Sequence, residues 1–197
     1  MTASTTQPYS SREVEFARSS RARANAAPLH AFDLASLRVA IRTLLQTDLA
    51  TLEWHGGPDL RSFYEWEWRR HEATELTVLV ADFNGYAIAQ LALHWSGKPS
   101  HPHLPDVQSL RVHPAFRGLG IGGRILHVAE TLAAGAGYSD ISLAVGIHND
   151  AARRLYERVG YRAVGDSYED IWHYVDRSGA TITVSETVVD MVKQLER

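Results

Sequence analysis

Four of the seven residues Arg117-Gly118-Leu119-Gly120-Ile121-Gly122-Gly123 are glycine, and they stand between a strand-like run, Val107 to Val112, and a helix-like one, Arg124 to Ala134. Glycines in that place bring bare backbone N–H groups together at a helix N-terminus, where the helix dipole favours negative charge. The chemistry on offer is a phosphate cradle. Gly118-x-Gly120-x-x-Gly123 also fits a dinucleotide fingerprint. However, His113 to Arg117 separate it from its strand, and the next strand, Ile141 to Val145, runs into Gly146 instead of a ribose-binding acid. No second βαβ half is present, and no Lys-Ser or Lys-Thr follows the glycines as a Walker loop requires.

Groups able to carry protons lie on both sides of the cradle. Asp106 starts the strand before it, and Tyr156 sits in the helix that Asn149-Asp150 begins after it. Asp106 suits a general base or a strand-edge cap, and Tyr156 suits a general acid or a packed ring. His94, His101, His103 and Glu67 are rivals for the base. His101-Pro102-His103 beside His94 has metal-ligand residue types, but the proline sits in a loop and no carboxylate completes a ligand pattern. No metal is expected.

Such groups need a core to position them. A chain of 197 residues with 45% hydrophobic and 22% charged content suits one domain, expected over 28–197. Residues 1–27, rich in Ser, Thr, Ala and Arg, cannot bury enough surface to offset chain entropy and are expected to be a disordered tail. A net charge of -3 gives no field that would gather nucleic acid or an anionic membrane, so neither partner is expected. Zero cysteines exclude a disulfide scaffold, a thiolate nucleophile and thiolate metal sites. No apolar run approaches the roughly 20 residues of a membrane span, and the N-terminus carries no signal-peptide core, so a cytoplasmic location is expected.

Leucines at helical spacing predict a helix over 34–49 with Asp33 as its N-cap. A second helix is expected over 59–72, with Phe63, Tyr64, Trp66 and Trp68 interleaved with Glu65, Glu67, Arg69 and Arg70. These side chains could line a pocket for a cationic acceptor or pack the helix onto a sheet. Asn84-Gly85 between Leu76–Ala81 and Tyr86–Trp95 reads as a hairpin turn. In the strand 106–112, a period of two places Asp106, Gln108, Leu110 and Val112 on one face and Val107, Ser109 and Arg111 on the other. His113-Pro114 ends it. After the cradle come a helix with Ile121, Ile125, Val128, Ala129 and Leu132 on one stripe, the strand 141–145, and a helix whose stripe is Ala152, Leu155 and Val159 with Tyr156 beside it. Short strand-like runs follow at 161–164, 171–175, 181–184 and 188–194. The order α-α-β-β-β-α-β-α-β predicts an α/β (α+β) fold, a mixed sheet flanked by helices.

Arg117-x-x-Gly120-x-Gly122 resembles the pyrophosphate-binding motif of the GNAT superfamily of acyl-CoA-dependent N-acyltransferases. Downstream, Asn149-x-x-Ala152-x-x-Leu155-Tyr156-x-x-x-Gly160-Tyr161 resembles that family's second signature segment. The resemblance extends over roughly Leu76 to Gln194. It implies a mostly antiparallel central sheet, acetyl-CoA as co-substrate, a small-molecule or peptide amine as acceptor, and a homodimer as the common assembly. It implies that the pantetheine arm lies along the main chain of Leu110, Arg111 and Val112, with an N–H there facing the oxyanion. The pyrophosphate would meet the N–H groups of Arg117, Gly118, Leu119, Gly120, Ile121 and Gly122, where a side chain would block approach at Gly120 and Gly122, with Gly118 and Gly123 more loosely required. Arg117 would touch the anion or bond the loop carbonyls, and Asn149 would cap its helix, bridge to the coenzyme, or do both. Tyr156 occupies the place of the general acid for the thiolate, and Asp106 is the candidate base. A base is needed because an alkylammonium of pKa near 10.4 is neutral in only about one molecule in 2,000 at pH 7. Two other functions fit less of the pattern: a non-catalytic acyl-CoA-binding or regulatory module, and an NAD-dependent oxidoreductase.

Overall fold

In the computed structural model, residues 29–34 and 37–196 are described, so the tail expected over 1–27 lies outside them. The first elements are β1 (His30–Leu34) and β2 (Leu37–Thr43), paired antiparallel as a hairpin, followed by a 3-10 run over Gln46–Trp54. This corrects the helix expected over 34–49. Val39 and Ile41 alternate into the core with the strand period, and Leu44, Leu49 and Leu52 bury themselves in and around the 3-10 run. The leucine spacing therefore spans two different elements. Arg42 joins them: its guanidinium is bidentate to Asp48 at 2.6 and 2.9 Å, and its Nε donates to Asp82 at 3.1 Å. Burial of these charges is tolerable because each is paired and hydrogen-bonded.

The remaining elements are α1 (Arg61–Glu72), β3 (Leu76–Phe83), β4 (Tyr86–His94), β5 (Asp106–Val112), α2 (Ile121–Gly135), β6 (Asp140–Gly146), α3 (Asp150–Arg158), β7 (Arg162–Val175) and β8 (Thr181–Gln194). They form one sheet in the order β1-β2-β3-β4-β5-β6-β8-β7, in which β5 and β6 are parallel and the other neighbours antiparallel. The sheet class matches the expectation; the element order is corrected to one that opens with a β-hairpin and ends with two 14-residue strands in place of four short runs. Asp176 to Gly179 supplies the turn between those two strands.

β3 and β4 are covered on both faces, which explains their nearly unbroken apolar runs. Val78 and Val80 pack with Leu60 and Tyr64 under α1, whereas Leu79 and Ala81 pack with Ile121, Ile125 and Ala129 of α2. The β3–β4 turn uses Asn84 at φ 52 and Gly85 at φ 85, and Gly85 N–H donates to Asp82 at 2.7 Å. α3 turns inward the face that its spacing suggests, with Tyr156 on the same side. Tyr156 is its buried residue, while Ala152, Leu155 and Val159 are half-buried against the same core.

β5 departs from simple alternation. Gln90 of β4 faces Arg111 and Ala92 faces Gln108, so Ser109 and Leu110 together oppose one residue, and Ser109 adopts φ 55. This is a β-bulge, and one extra residue reverses which parity faces the core. Val107 before the bulge and Leu110 and Val112 after it pack with α2, whereas Asp106, Gln108, Ser109 and Arg111 line a cavity. The expected faces of β5 are corrected accordingly. β5 pairs with β6 at Asp106↔Ser142 and Val107↔Leu143, after which the two strands part.

Candidate active site

The parted strands create two half-sites on either side of β5. At the C-terminal end of β5, His113 and Pro114 lead through a 3-10 turn, Pro114–Phe116, into the glycine loop. Gly118 and Gly120 both take φ 78, and Gly120 caps α2 in the left-handed region. A Cβ at either would meet nothing within 4 Å. Glycine is therefore required there by backbone conformation and by the open approach to the N–H groups, with no packing against neighbours. Gly122 differs, because a Cβ there would stand 3.3 Å from Leu155 of α3. Arg117 Nε donates to Val112 O at 3.0 Å, which is the loop-carbonyl alternative of the two considered. Asn149 caps α3, its side chain accepting from Ala152 N–H at 3.2 Å.

On the opposite face lies a cavity of about 1090 Å³, walled by α1, the bulged part of β5, the loop before β5 and the β7–β8 hairpin. The hairpin is tied over α1: Ser62 Oγ donates to Val175 O, Arg177 pairs with Asp59 at 3.1 Å, and the Phe63 and Trp172 rings meet at 5.9 Å. Phe63, Trp66, Trp172 and Tyr174 give the cavity an aromatic side.

Glu67 of α1 points into this cavity at 1% exposure. Burial pushes its pKa from the ordinary 4.5 up to about 7, against the opposing effects of the Arg111 charge and of hydrogen bonds from Ser109 and Gln90. Asp106 also lines the cavity, and burial raises its pKa too, opposed by Lys98, Gln108 and Ser142. Its oxygens are engaged, one by Ser142 Oγ at 2.8 Å and the other by Gln108 Nε2 at 3.0 Å, with Lys98 3.5 Å away. Lys98 in turn donates to Asp190 at 2.7 Å, and the two carboxylates keep its pKa above the ordinary value although burial lowers it.

The other titratable candidates lie elsewhere. His94 is buried, its pKa lowered to about 4 by desolvation and then by Arg70, and it does not line the cavity. His101 is bound to Asp190 at 3.2 Å and His103 is exposed. Among the described residues, no group of three His, Asp or Glu side chains gathers as a metal-ligand set. Tyr156 is packed near Tyr161, ring centroids 5.9 Å apart, and burial raises its pKa to about 12. The phenol stays protonated through the physiological range and can donate, although it is a weaker acid than its ordinary value of 10 suggests.

The family resemblance assigns Arg111 a role through its main chain alone; in the structure its side chain is also a cavity residue. The bulge is what turns it there, and no pattern of apolar alternation announces a bulge. Sequence reasoning also misses Lys98, Trp172 and Tyr174, since they come from a loop and a strand far from either motif.

A mixed sheet that opens between two parallel strands, with a glycine-rich helix N-terminus at one mouth and a cavity at the other, defines an acyltransferase-type α/β fold. The model of the acetyltransferase (GNAT) family matches residues 40–161, well over half of the chain, and the chain belongs to that family. It is 27% identical over 103 residues to an uncharacterized N-acetyltransferase of Methanocaldococcus jannaschii, a match covering 51% of this chain and 44% of the relative, so the chain spans about half the length of that curated relative. Solved structures share the fold. An N-acetyltransferase of Staphylococcus aureus superposes with a TM-score of 0.63 at 14% identity, over 80% of this chain and 99% of that one. A Salmonella typhimurium protein described as an acetyltransferase and solved with its cofactor acetyl-CoA gives 0.58 at 17%, over 81% and 95%. The ribosomal-protein-alanine N-acetyltransferase of Brucella melitensis gives 0.57 at 19%, over 79% and 99%. Among the described residues, no helix is long and apolar enough to cross a membrane.

Proposed function

We propose that this chain is an N-acetyltransferase that moves the acetyl group of acetyl-CoA to a primary amine by direct attack. The observation that carries the reading is the arrangement around β5: the cradle at Gly118–Gly122 and a cavity holding a carboxyl of pKa about 7 meet where β5 and β6 part. The cradle suits a pyrophosphate because the Gly118 and Gly120 backbones face open space at φ 78. Residues 110–112 offer a strand edge to a pantetheine arm, with an N–H for the developing oxyanion. Acetyl-CoA supplies the activated thioester.

Glu67 is the better base. Its pKa of about 7 lies near the working pH, where both uptake and release of a proton are effective, and Gln90 and Ser109 hold it in place. Asp106, with both oxygens bonded and Lys98 adjacent, serves better to position Lys98 and Gln108. In the reaction the amine nitrogen bonds to the carbonyl carbon, its proton passes to Glu67, the C–S bond breaks, and Tyr156 donates a proton to the departing thiolate. Incubation with acetyl-CoA and a broad amine panel, followed by thiol release, tests this; release at no more than the hydrolytic background across the panel would overturn it. Thermal-shift titration with acetyl-CoA and NADH side by side separates the reading from a nicotinamide-dependent oxidoreductase, which predicts stabilisation by NADH.

A further inference from the structure

Arg111 Nη1 is buried and has no hydrogen-bond partner. Its guanidinium carbon lies 5.4 Å from the Phe63 ring centroid, and its charge acts on both Glu67 and Tyr64. The Tyr64 hydroxyl donates to His55 O at 3.0 Å while its oxygen stands in hydrogen-bonding reach of the guanidinium, so Nη1 is the buried arm left without an acceptor. A buried guanidinium N–H without an acceptor costs roughly 1–3 kcal/mol, more for a charged group, so a fold that keeps one on a cavity wall gains by presenting it to a ligand acceptor. Glu67, half-neutral near pH 7, is an incomplete counter-charge for it.

The surroundings narrow the ligand. Glu67 and Phe63 are four residues apart on α1 and so share a face, and Trp66 stacks on Phe63 with centroids 6.0 Å apart. Trp172 and Tyr174 of the overlying hairpin extend that apolar side. Charges along the whole cavity nearly balance, four carboxylates against three cations, which disfavours a dianionic phosphate and suits a zwitterion. Resting on the acetyltransferase reading, we propose that the acceptor is a free α-amino acid with an apolar side chain. Its carboxylate is held by Arg111, its amine is directed at Glu67, and its side chain lies on the Phe63–Trp66–Trp172 wall.

The proton lost by the amine goes to Glu67 as the N–C bond replaces the C–S bond, and N-acetyl amino acid and coenzyme A thiol leave.

The test compares L-phenylalanine, L-phenylalaninamide and phenethylamine by calorimetry on coenzyme A-loaded protein, and then by turnover with acetyl-CoA. The acid should bind at least 30-fold more tightly than the amide or the amine. Arg111→Gln should remove that advantage and bring acid and amide together, with acetyl-CoA affinity preserved as the control for folding; Arg111→Lys should keep part of the preference. Equal binding of acid and amide by the native protein, a parallel loss of both in Arg111→Gln, or no binding of L-phenylalanine, L-tryptophan, L-leucine or L-methionine would each overturn the proposal. Selective binding of the acid without turnover would sink the transfer reading and leave the subsite standing. Turnover of neutral amines with no preference for the acid would do the reverse.

Discussion

Glu67→Gln should make the protein more stable and less active, and the two effects should depend on pH in a linked way. A carboxyl whose pKa rises from 4.5 unfolded to about 7 folded binds its proton more tightly in the native state. Its favourable contribution is therefore complete below about pH 4.5 and is lost as pH climbs through 7. At about 1.4 kcal/mol per pH unit, the native state gives up about 3 kcal/mol over that interval. Glutamine is isosteric, carries no charge to desolvate, and retains an acceptor for Gln90, so the variant escapes this loss. At pH 8 it should exceed the native protein by about 3 kcal/mol, or about 6–12 °C in Tm for a domain of this size, and the gap should close towards pH 4.5. Urea melts of both proteins at pH 4.5, 6 and 8 give the comparison directly. Over the same range, native kcat/KM should rise with pH through about 7, and the variant should lose that limb along with roughly 10²–10⁴-fold of activity. A variant less stable at pH 8, or a stability gap that does not change with pH, would refute the buried-carboxyl account.

Gly120→Val places a β-branched residue at φ 78, costing about 1–3 kcal/mol, but finds open space around its Cβ; acetyl-CoA binding by calorimetry should vanish while the far-ultraviolet spectrum is unchanged. Tyr156→Phe should lower kcat by about 10²-fold or more with acetyl-CoA affinity retained and Tm within about 2 °C of native; unchanged kcat would mean that the thiolate finds its proton elsewhere. Ser109→Gly relieves a non-glycine residue at φ 55 and should stabilise by up to about 1 kcal/mol. The same change removes a hydrogen bond that lowers the Glu67 pKa, so the acid limb of the pH–rate profile should move to higher pH.

What the sequence disclosed was local. The cradle and the Asn149–Tyr161 segment are each contiguous, and their requirements are written into single residues: glycine where φ is positive, asparagine where a helix begins. The N-terminal misassignment has a plain cause. Leu34, Leu37, Ile41, Leu44 and Leu45 satisfy a helical period, while Val39 and Ile41 satisfy a strand period within the same run. Pairing with β3 and the Arg42–Asp48–Asp82 tie decide between them, and both are long-range. Glu67 is legible as a titratable residue among aromatics; its elevated pKa comes from burial beneath a hairpin far downstream in the chain, which outweighs the lowering by its neighbours on β4 and β5.

The bulge in β5 links the two half-sites. By adding Ser109 it turns both Gln108 and Ser109, and then Arg111, to the cavity, while Leu110 and Val112 remain in the core that carries α2 and hence the cradle. A regular strand would leave one fewer cavity-facing position before the core contact resumes, and would give up the Ser109 bond to Glu67. One strand thus presents side chains to the acceptor and a main-chain edge to the thioester, and the φ of 55 at a serine is the local strain that this double use entails. Specificity for the acceptor can then change through the cavity-lining side chains of α1 and of the distal part of the β7–β8 hairpin, Phe63, Trp66, Trp172 and Tyr174, none of which belongs to the cradle.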